Sequence, residues 1–106
     1  MSTDDKTILK IKDIAKSAIP LGSKAILYGS RARGDARNDS DWDILILLDK
    51  AKLEQTDYDK VSYPFVLLGC DLGTEINPIL YTKKEWESYN FTPFYENVNR
   101  DGISLI

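Results

Sequence analysis

The sequence predicts one compact domain, residues 1–106, in which helices and strands are combined. A length of 106 residues with 42% hydrophobic residues is enough for one small core. Apolar residues recur at helical spacing between Thr7 and Ile19, whereas Ala25–Tyr28 and Ile44–Leu48 are short apolar runs typical of buried strands. Because burial in so small a core gives modest stability, we expect a partner or a homo-oligomer.

The first half of the chain is predicted to contain a helix and two strands. The helical spacing ends at Pro20 and Gly22, both of which terminate helices. The later strand has an acidic, exposed beginning and then a continuous apolar run, as expected for a central strand covered on both faces. The predicted elements are a helix at Thr7–Ile19, a strand at Ser23–Tyr28, a helical turn at Ser30–Arg33 and a strand at Asp41–Leu48.

The second half is predicted to contain a longer helix, a strand and two short helices. Pro64 is expected to kink the longer helix unless it lies near a helix start, and Pro78 favours an edge position for the strand. The predicted elements are a polar linker at Asp49–Asp57, a helix at Tyr58–Leu72, a strand at Thr74–Tyr81, a helix opened by the capping box Thr82–Glu85, a helix opened by Thr92 and Pro93, and an apolar tail at Ile103–Ile106.

Composition excludes several classes of chemistry and of partner. Histidine is absent, which removes Ser-His-Asp and Cys-His catalysis and most zinc sites. The net charge of −3 argues against sequence-independent nucleic-acid binding. The single cysteine, Cys70, cannot form an intrachain disulfide, and its leucine neighbours predict a packed thiol. With no leader and no apolar run long enough to cross a bilayer, we expect a cytoplasmic protein without a membrane partner.

Two carboxylates and a Gly-Ser pair mark the candidate site. Side chains at i and i+2 of a strand share a face, so Asp41 and Asp43 present two carboxylates together, about 7 Å apart at the backbone. Such a pair suits a divalent metal ion. Gly29 allows the backbone to approach a ligand closely, and the hydroxyl of Ser30 with nearby N–H groups is suited to a phosphate.

Arginines adjoin the acidic pair. Arg31, Arg33 and Arg37 lie close together in the chain with only Asp35 as an acid between them. A metal–triphosphate site needs this arrangement, since arginine neutralises phosphate oxygens while carboxylates hold the cation. Arg31 and Arg33 are the candidate phosphate contacts, and ion pairs with Asp35 or Asp39 are the alternative.

The Gly-Ser pair, ten further residues and the Asp-x-Asp pair stand within GSRARGDARNDSDWDILILL. This motif resembles the signature of the DNA polymerase β-type nucleotidyltransferase superfamily, and specifically its minimal nucleotidyltransferase (MNT) branch. The resemblance implies an α+β fold with a small mixed sheet flanked by helices. It also implies two Mg²⁺ ions held by carboxylates, and transfer of a nucleoside monophosphate, with ATP as the expected donor, to an acceptor with release of pyrophosphate.

The resemblance also implies roles for the residues of the motif. Gly29 and Ser30 bind the triphosphate, and Asp41 and Asp43 coordinate the metal ions and take part in catalysis. The family has a third carboxylate on a later strand, for which Glu75 is the candidate as a metal ligand or general base. Because the family's acid usually lies nearer the following helix, a solvated residue at the strand start is the alternative. Without a third ligand the enzyme is expected to be slow, partner-completed or inactive.

The family also implies a kind of partner. Many of its members are antitoxins paired with a small helical HEPN protein, which they can inactivate by adding AMP to a tyrosine. We therefore expect an acceptor protein of this type. There are two alternatives: an antitoxin that acts by contact alone, and a transferase that acts on RNA ends or on a small molecule.

A cluster of aromatic residues lies near the C-terminal end of the sequence. It forms either part of the core or a surface for a partner or a nucleobase, and it comprises Trp86, Tyr89, Phe91, Phe94 and Tyr95.

Overall fold

The computed structural model describes the backbone of residues 3–106 and the side chains from Asp5 onwards. The helices are α1 (Thr3–Ala18), α2 (Ser30–Arg33), α3 (Gln55–Asp57), α4 (Tyr63–Leu72), α5 (Lys83–Ser88) and α6 (Pro93–Asp101). The strands are β1 (Lys24–Tyr28), β2 (Trp42–Leu48), β3 (Ile76–Thr82) and β4 (Ile103–Ser104). No helix within the described part is long and apolar enough to cross a membrane.

The strands form a mixed sheet with the order β3-β2-β1-β4. β1 runs antiparallel to both β2 and β4, and β2 runs parallel to β3. β2 is therefore a central strand, and its apolar residues Ile44–Leu48 are all buried, as the sequence predicts. The expected α+β class, a small mixed sheet flanked by helices, is confirmed.

Helices cover both faces of the sheet. On one face, Ile11 of α1 and Phe65 of α4 are fully buried and pack in the same cluster as Ile44. On the opposite face, Trp86 of α5 packs in a second cluster with Leu45. Alternate side chains of β2 thus serve the two layers, and this alternation also fixes the face towards which the acidic beginning of the strand points.

The helix predicted at Tyr58–Leu72 is divided into two parts. A π-helical turn at Tyr58–Ser62 precedes α4, and Pro64 lies in the first turn of α4. The chain is helical without interruption from Gln55 to Leu72, and the Tyr63 N–H donates to the Tyr58 carbonyl oxygen in the wider π pattern, so the proline lies where the hydrogen-bond pattern changes. The predicted linker contains the short helix α3, which begins with a capping box.

Three further predictions differ from the structure or are refined by it. β3 begins at Ile76, so Glu75 directly precedes the strand, and Pro78 lies in an edge strand as predicted. The apolar tail forms β4, whose pairing with β1 depends on a distant part of the chain. The packed thiol predicted for Cys70 is wrong, because its side chain lies exposed on the outer side of α4.

Thr82 holds the junction between β3 and α5. Its side chain is 1% exposed, and its Oγ1 accepts a hydrogen bond from the Glu85 N–H at 3.0 Å. The Glu85 carboxylate in turn accepts one from the Thr82 N–H at 2.9 Å.

We expect Thr82→Ala to lower the free energy of unfolding by about 1–2 kcal/mol, and Thr82→Ser to lower it less because the capping oxygen remains. Urea unfolding followed by circular dichroism measures both, and equal losses would contradict the capping role.

Candidate functional site

The two aspartates lie where β2 begins. Asp43 is the second residue of β2 and Asp41 directly precedes the strand, and both side chains are half-buried. Trp42 between them is 2% exposed and packs into the core on the other face of the sheet. The buried indole fixes the start of the strand against the α1–α4 layer, so both carboxylates point to the face of the sheet that also carries Leu45.

Glu75 lies beside Asp41. The ladder between β2 and β3 extends one residue past β3, since the Trp42 N–H donates to the Glu75 carbonyl oxygen at 2.9 Å. This register places the exposed Glu75 side chain next to the Asp41 carboxyl. A hydrogen bond between the two carboxyl groups, followed by the negative charge of Asp41, raises the pKa of Glu75, and the charge of Asp43 adds to the rise.

Asn77 is a site residue that the sequence analysis did not identify. It pairs with Asp43 in the parallel register of β2 and β3, and its Nδ2 donates to Asp41 Oδ2 at 3.1 Å. Burial raises the pKa of Asp43, a hydrogen bond from Asn77 lowers it, and the charge of Asp41 raises it. The available signal was its position two residues after Glu75, which gives the two side chains the same face of the strand.

The donor chemistry of these side chains fits magnesium. Within the described residues, no group of three or more histidine, cysteine, aspartate or glutamate side chains is arranged as a preformed metal centre. Asp41, Asp43 and Glu75 nevertheless offer carboxylate oxygens, the ligands that Mg²⁺ prefers. The charge of Asp41 raises the pKa of both of the other groups, and a bound cation relieves such repulsion.

Gly29 closes one side of the site by a close backbone approach. It precedes α2 with φ +77°, a conformation that favours glycine. A Cβ atom at this position would lie 2.6 Å from Asp43 Oδ2. Ser30 is the first residue of α2 and is partly buried. The Gly-Ser pair and the Asp-x-Asp pair, ten residues apart in the chain, are thus adjacent in the structure.

The two candidate phosphate-binding arginines have different environments. Arg31 donates from Nη2 to the carbonyl oxygens of Ser40 at 2.9 Å and Asn38 at 3.2 Å, and its guanidinium lies 4.5 Å from the ring centroid of Trp42. Arg31 therefore holds the loop between α2 and β2 in shape. Arg33 forms an exposed ion pair with Asp35 at 3.2 Å, so the alternative partner named for it is present.

Tyr28 brings aromatic side chains to the same face. It pairs with Asp43 across β1 and β2, and its ring lies 5.3 Å from that of Phe94 in an edge-to-face arrangement. Burial, followed by the charges of Asp43 and Tyr81, raises the pKa of Tyr28 to about 12. The aromatic cluster as a whole is divided, because Trp86 is buried whereas Phe91 is exposed.

Comparison with known proteins assigns the family. A family model described as "Nucleotidyltransferase domain" matches residues 8–95, which include every candidate residue of the site. The chain belongs to the nucleotidyltransferase domain family. The family inferred from the Gly-Ser and Asp-x-Asp spacing is thereby confirmed.

One solved structure similar to this nucleotidyltransferase domain is described as "Crystal structure of the toxin-antitoxin with AMP-PNP". The TM-score is 0.63 at 19% sequence identity, over 93% of this chain and 72% of the other. At that identity the likeness supports the fold. A search of curated proteins found no match.

The close approach in this nucleotidyltransferase domain can be tested by adding one methyl group. Gly29 and Gly34 both have positive φ, but nothing lies within 4 Å of a Cβ at Gly34. We expect Gly34→Ala to cost about 1 kcal/mol of unfolding free energy from backbone strain alone, and Gly29→Ala to cost clearly more because its methyl group meets the Asp43 carboxylate.

The double variant Gly29→Ala/Asp43→Ala isolates that contact. We expect it to be more stable than the sum of the two single variants predicts, since removal of the carboxylate makes room for the methyl group. Urea unfolding of the wild type, the two single variants and the double variant gives the free energies of unfolding for the cycle. Additive losses at Gly29 and Asp43 would contradict the contact.

Proposed function

We propose that the protein is a magnesium-dependent nucleotidyltransferase that moves a nucleoside monophosphate, AMP from ATP, to an acceptor hydroxyl on a partner protein. The observation that carries the proposal is the meeting of Gly29, Asp41, Asp43 and Glu75 at the adjacent ends of β1, β2 and β3. A site for a metal-bound triphosphate needs carboxylates for the metal ions beside a backbone segment that a phosphate can approach closely, and these residues provide both.

The carboxylates of Asp41, Asp43 and Glu75 are the proposed ligands of two Mg²⁺ ions. The chemistry supplied by bound magnesium is neutralisation of the triphosphate charge and of the charge that develops on the acceptor and leaving oxygens. Gly29 and Ser30 hold the triphosphate at the start of α2. Arg31, which shapes the adjoining loop, and the exposed Arg33 are the proposed additional phosphate contacts.

The proposed transfer forms a bond between the acceptor oxygen and the α-phosphorus. It breaks the bond from that phosphorus to the oxygen that bridges the α- and β-phosphates, and pyrophosphate leaves with the bonding electrons. The acceptor proton passes to a carboxylate of the site. Glu75 is our candidate base, because its side chain is exposed while it contacts Asp41.

Two facts support a protein acceptor. The chain has a net charge of −3, which disfavours extended contact with nucleic acid. A solved structure similar in fold is described as a toxin-antitoxin with AMP-PNP. By analogy we propose that the chain is the antitoxin of a pair whose toxin is a small helical, HEPN-type protein, and that it acts in the cytoplasm.

One observation favours a second candidate function, an antitoxin that acts by contact without catalysis. An amide, Asn77, stands in register with Asp43, and the third acid is displaced to Glu75 beyond the strand. If Glu75 does not complete the metal site, the fold still offers a surface to a partner. This candidate predicts that Asp43→Ala still protects cells from the toxin.

Incubation with α-labelled ATP, Mg²⁺ and a candidate partner, a small helical protein of the HEPN type, tests the proposed transfer. We expect label on that protein, and a loss of at least about 100-fold in Asp41→Asn and Asp43→Asn, because removal of outer-shell partners alone costs about 10- to 100-fold. Asp13→Asn, an exposed aspartate on α1, is the matched control and should leave labelling unchanged. Label that survives both site variants, or label on RNA instead of protein, would contradict the proposal.

The role of Glu75 has its own test. We expect Glu75→Gln to lower the rate of labelling by about 10-fold or more, because a neutral amide binds a cation less tightly and cannot accept the acceptor proton. Glu96→Gln, an exposed glutamate on α6, is the control. A Glu75→Gln rate within about twofold of that of Glu96→Gln would show that Glu75 is a solvated strand-start residue.

A further inference from the structure

The outer side of α4 is apolar although it faces solvent. α4 has the sequence YPFVLLGCDL, in which Asp71 is the only charged residue. Its inner side packs on the sheet, with Phe65 and Gly69 buried. Its outer side carries an exposed row of side chains that we call the outer stripe, defined as Tyr63, Val66, Leu67 and Cys70.

The outer stripe has the spacing of a helix-packing surface. The exposed fractions are 55% for Tyr63, 39% for Val66 and 46% for Leu67. The four positions follow the i, i+3, i+4, i+7 pattern by which one helix packs against another. Since a helix that is apolar on all sides is normally buried on all sides, the stripe indicates a surface that is covered in the working assembly.

A groove joins the outer stripe to the candidate active site. It has a volume of about 480 Å³ and lies between α4 and the edge strand β3, lined by Tyr58, Val66 and Pro78 among others. A second cavity of about 540 Å³ continues from it to Asp41. The two cavities share the lining residues Cys70, Thr74 and Glu75. A molecule seated on the stripe therefore has a continuous path along the surface to Asp41 and Glu75.

The border of the outer stripe is acidic. Between Tyr58 and Glu75 the charged residues are Asp59, Asp71 and Glu75 against the single cation Lys60. A second copy of the chain would bring the same carboxylates and the same net charge of −3 to the contact. A partner with lysine or arginine at the edge of its apolar face matches this border better.

We propose that the outer stripe and its groove are the docking site for an amphipathic helix of the acceptor protein, with an apolar face on α4 and basic residues towards Asp59, Asp71 and Glu75. This inference rests on the proposed function only in that the docked protein is also the one that accepts the nucleotide. The docking itself needs neither nucleotide nor metal. The helix packs on α4, and the acidic border sets its direction by pairing with the basic residues of the helix, so that a hydroxyl at one end faces Asp41 and Glu75.

The probe is a fluorescein-labelled peptide of about 18 residues, long enough to form a helix, with leucine at helical spacing and lysine at the remaining positions. A matched peptide carries glutamate in place of each lysine. Fluorescence anisotropy without ATP or Mg²⁺ measures binding to the full chain. Leu67→Glu is the test variant and Leu9→Glu on α1 is the control, because the two leucines are 46% and 47% exposed. Tyr63→Ser removes apolar area without adding charge.

Docking predicts saturable binding of the lysine peptide, at least about 10-fold weaker binding in Leu67→Glu and Tyr63→Ser, and no change in Leu9→Glu. The glutamate peptide should bind at least about 10-fold more weakly. No saturable binding of the lysine peptide, or equal losses in Leu67→Glu and Leu9→Glu, would overturn the proposal. A wild-type dimer that becomes monomeric in Leu67→Glu would assign the stripe to a second copy instead. Saturable binding of the lysine peptide to the wild-type chain, together with no label on an acceptor protein in the ATP assay, would refute the proposed catalysis and leave the docking site intact.

Discussion

The register between β2 and β3 is the constraint on which the site depends. Side chains alternate between the two faces of a strand, so a slip of one residue would turn Asp43 towards the α1–α4 layer and Trp42 towards solvent. Trp42 opposes that slip, because the slip would remove its buried indole from the α1–α4 layer and place the Asp43 carboxylate among apolar side chains. The same register sets Asn77 beside Asp43 and brings Glu75 to Asp41. Core packing thus determines the geometry of the carboxylates.

The fold holds three negatively charged side chains close together, which is electrostatically unfavourable. Asp41, Asp43 and Glu75 lie close enough to repel one another: burial and then the charge of Asp41 raise the pKa of Asp43, and the hydrogen bond with Asp41 and then its charge raise the pKa of Glu75. Asn77 relieves part of this repulsion with an amide donor, and Gly29 admits the Asp43 carboxylate without a steric contact. A fold that holds like charges this close is poised for a cation, since local conflicts of this kind concentrate where a ligand is bound.

Local features of the fold and site were predictable from sequence, and features that join distant segments were not. Strand alternation at Asp41 and Asp43, the short helix after Gly29 and the cap at Thr82 each depend on neighbouring residues, so sequence spacing was sufficient. The strand β4 depends on pairing with β1 across most of the chain, and no periodicity in a short tail reveals it. The packed thiol predicted for Cys70 is wrong because an apolar helix sequence does not by itself mean burial on every side of the helix.

The exposed apolar side of α4, on which Cys70 lies, bears on the proposed activity. A helix as apolar as α4 costs solubility when one side faces water, and a fold that needed α4 for its own core alone would gain from polar residues on its outer side. Both candidate functions require a partner to be held, either for transfer of a nucleotide or for contact alone. Apolar burial along α4 supplies affinity in either case, whereas the acidic border supplies direction. The carboxylates then decide between the two functions, because only a complete metal site converts a docked partner into a modified one.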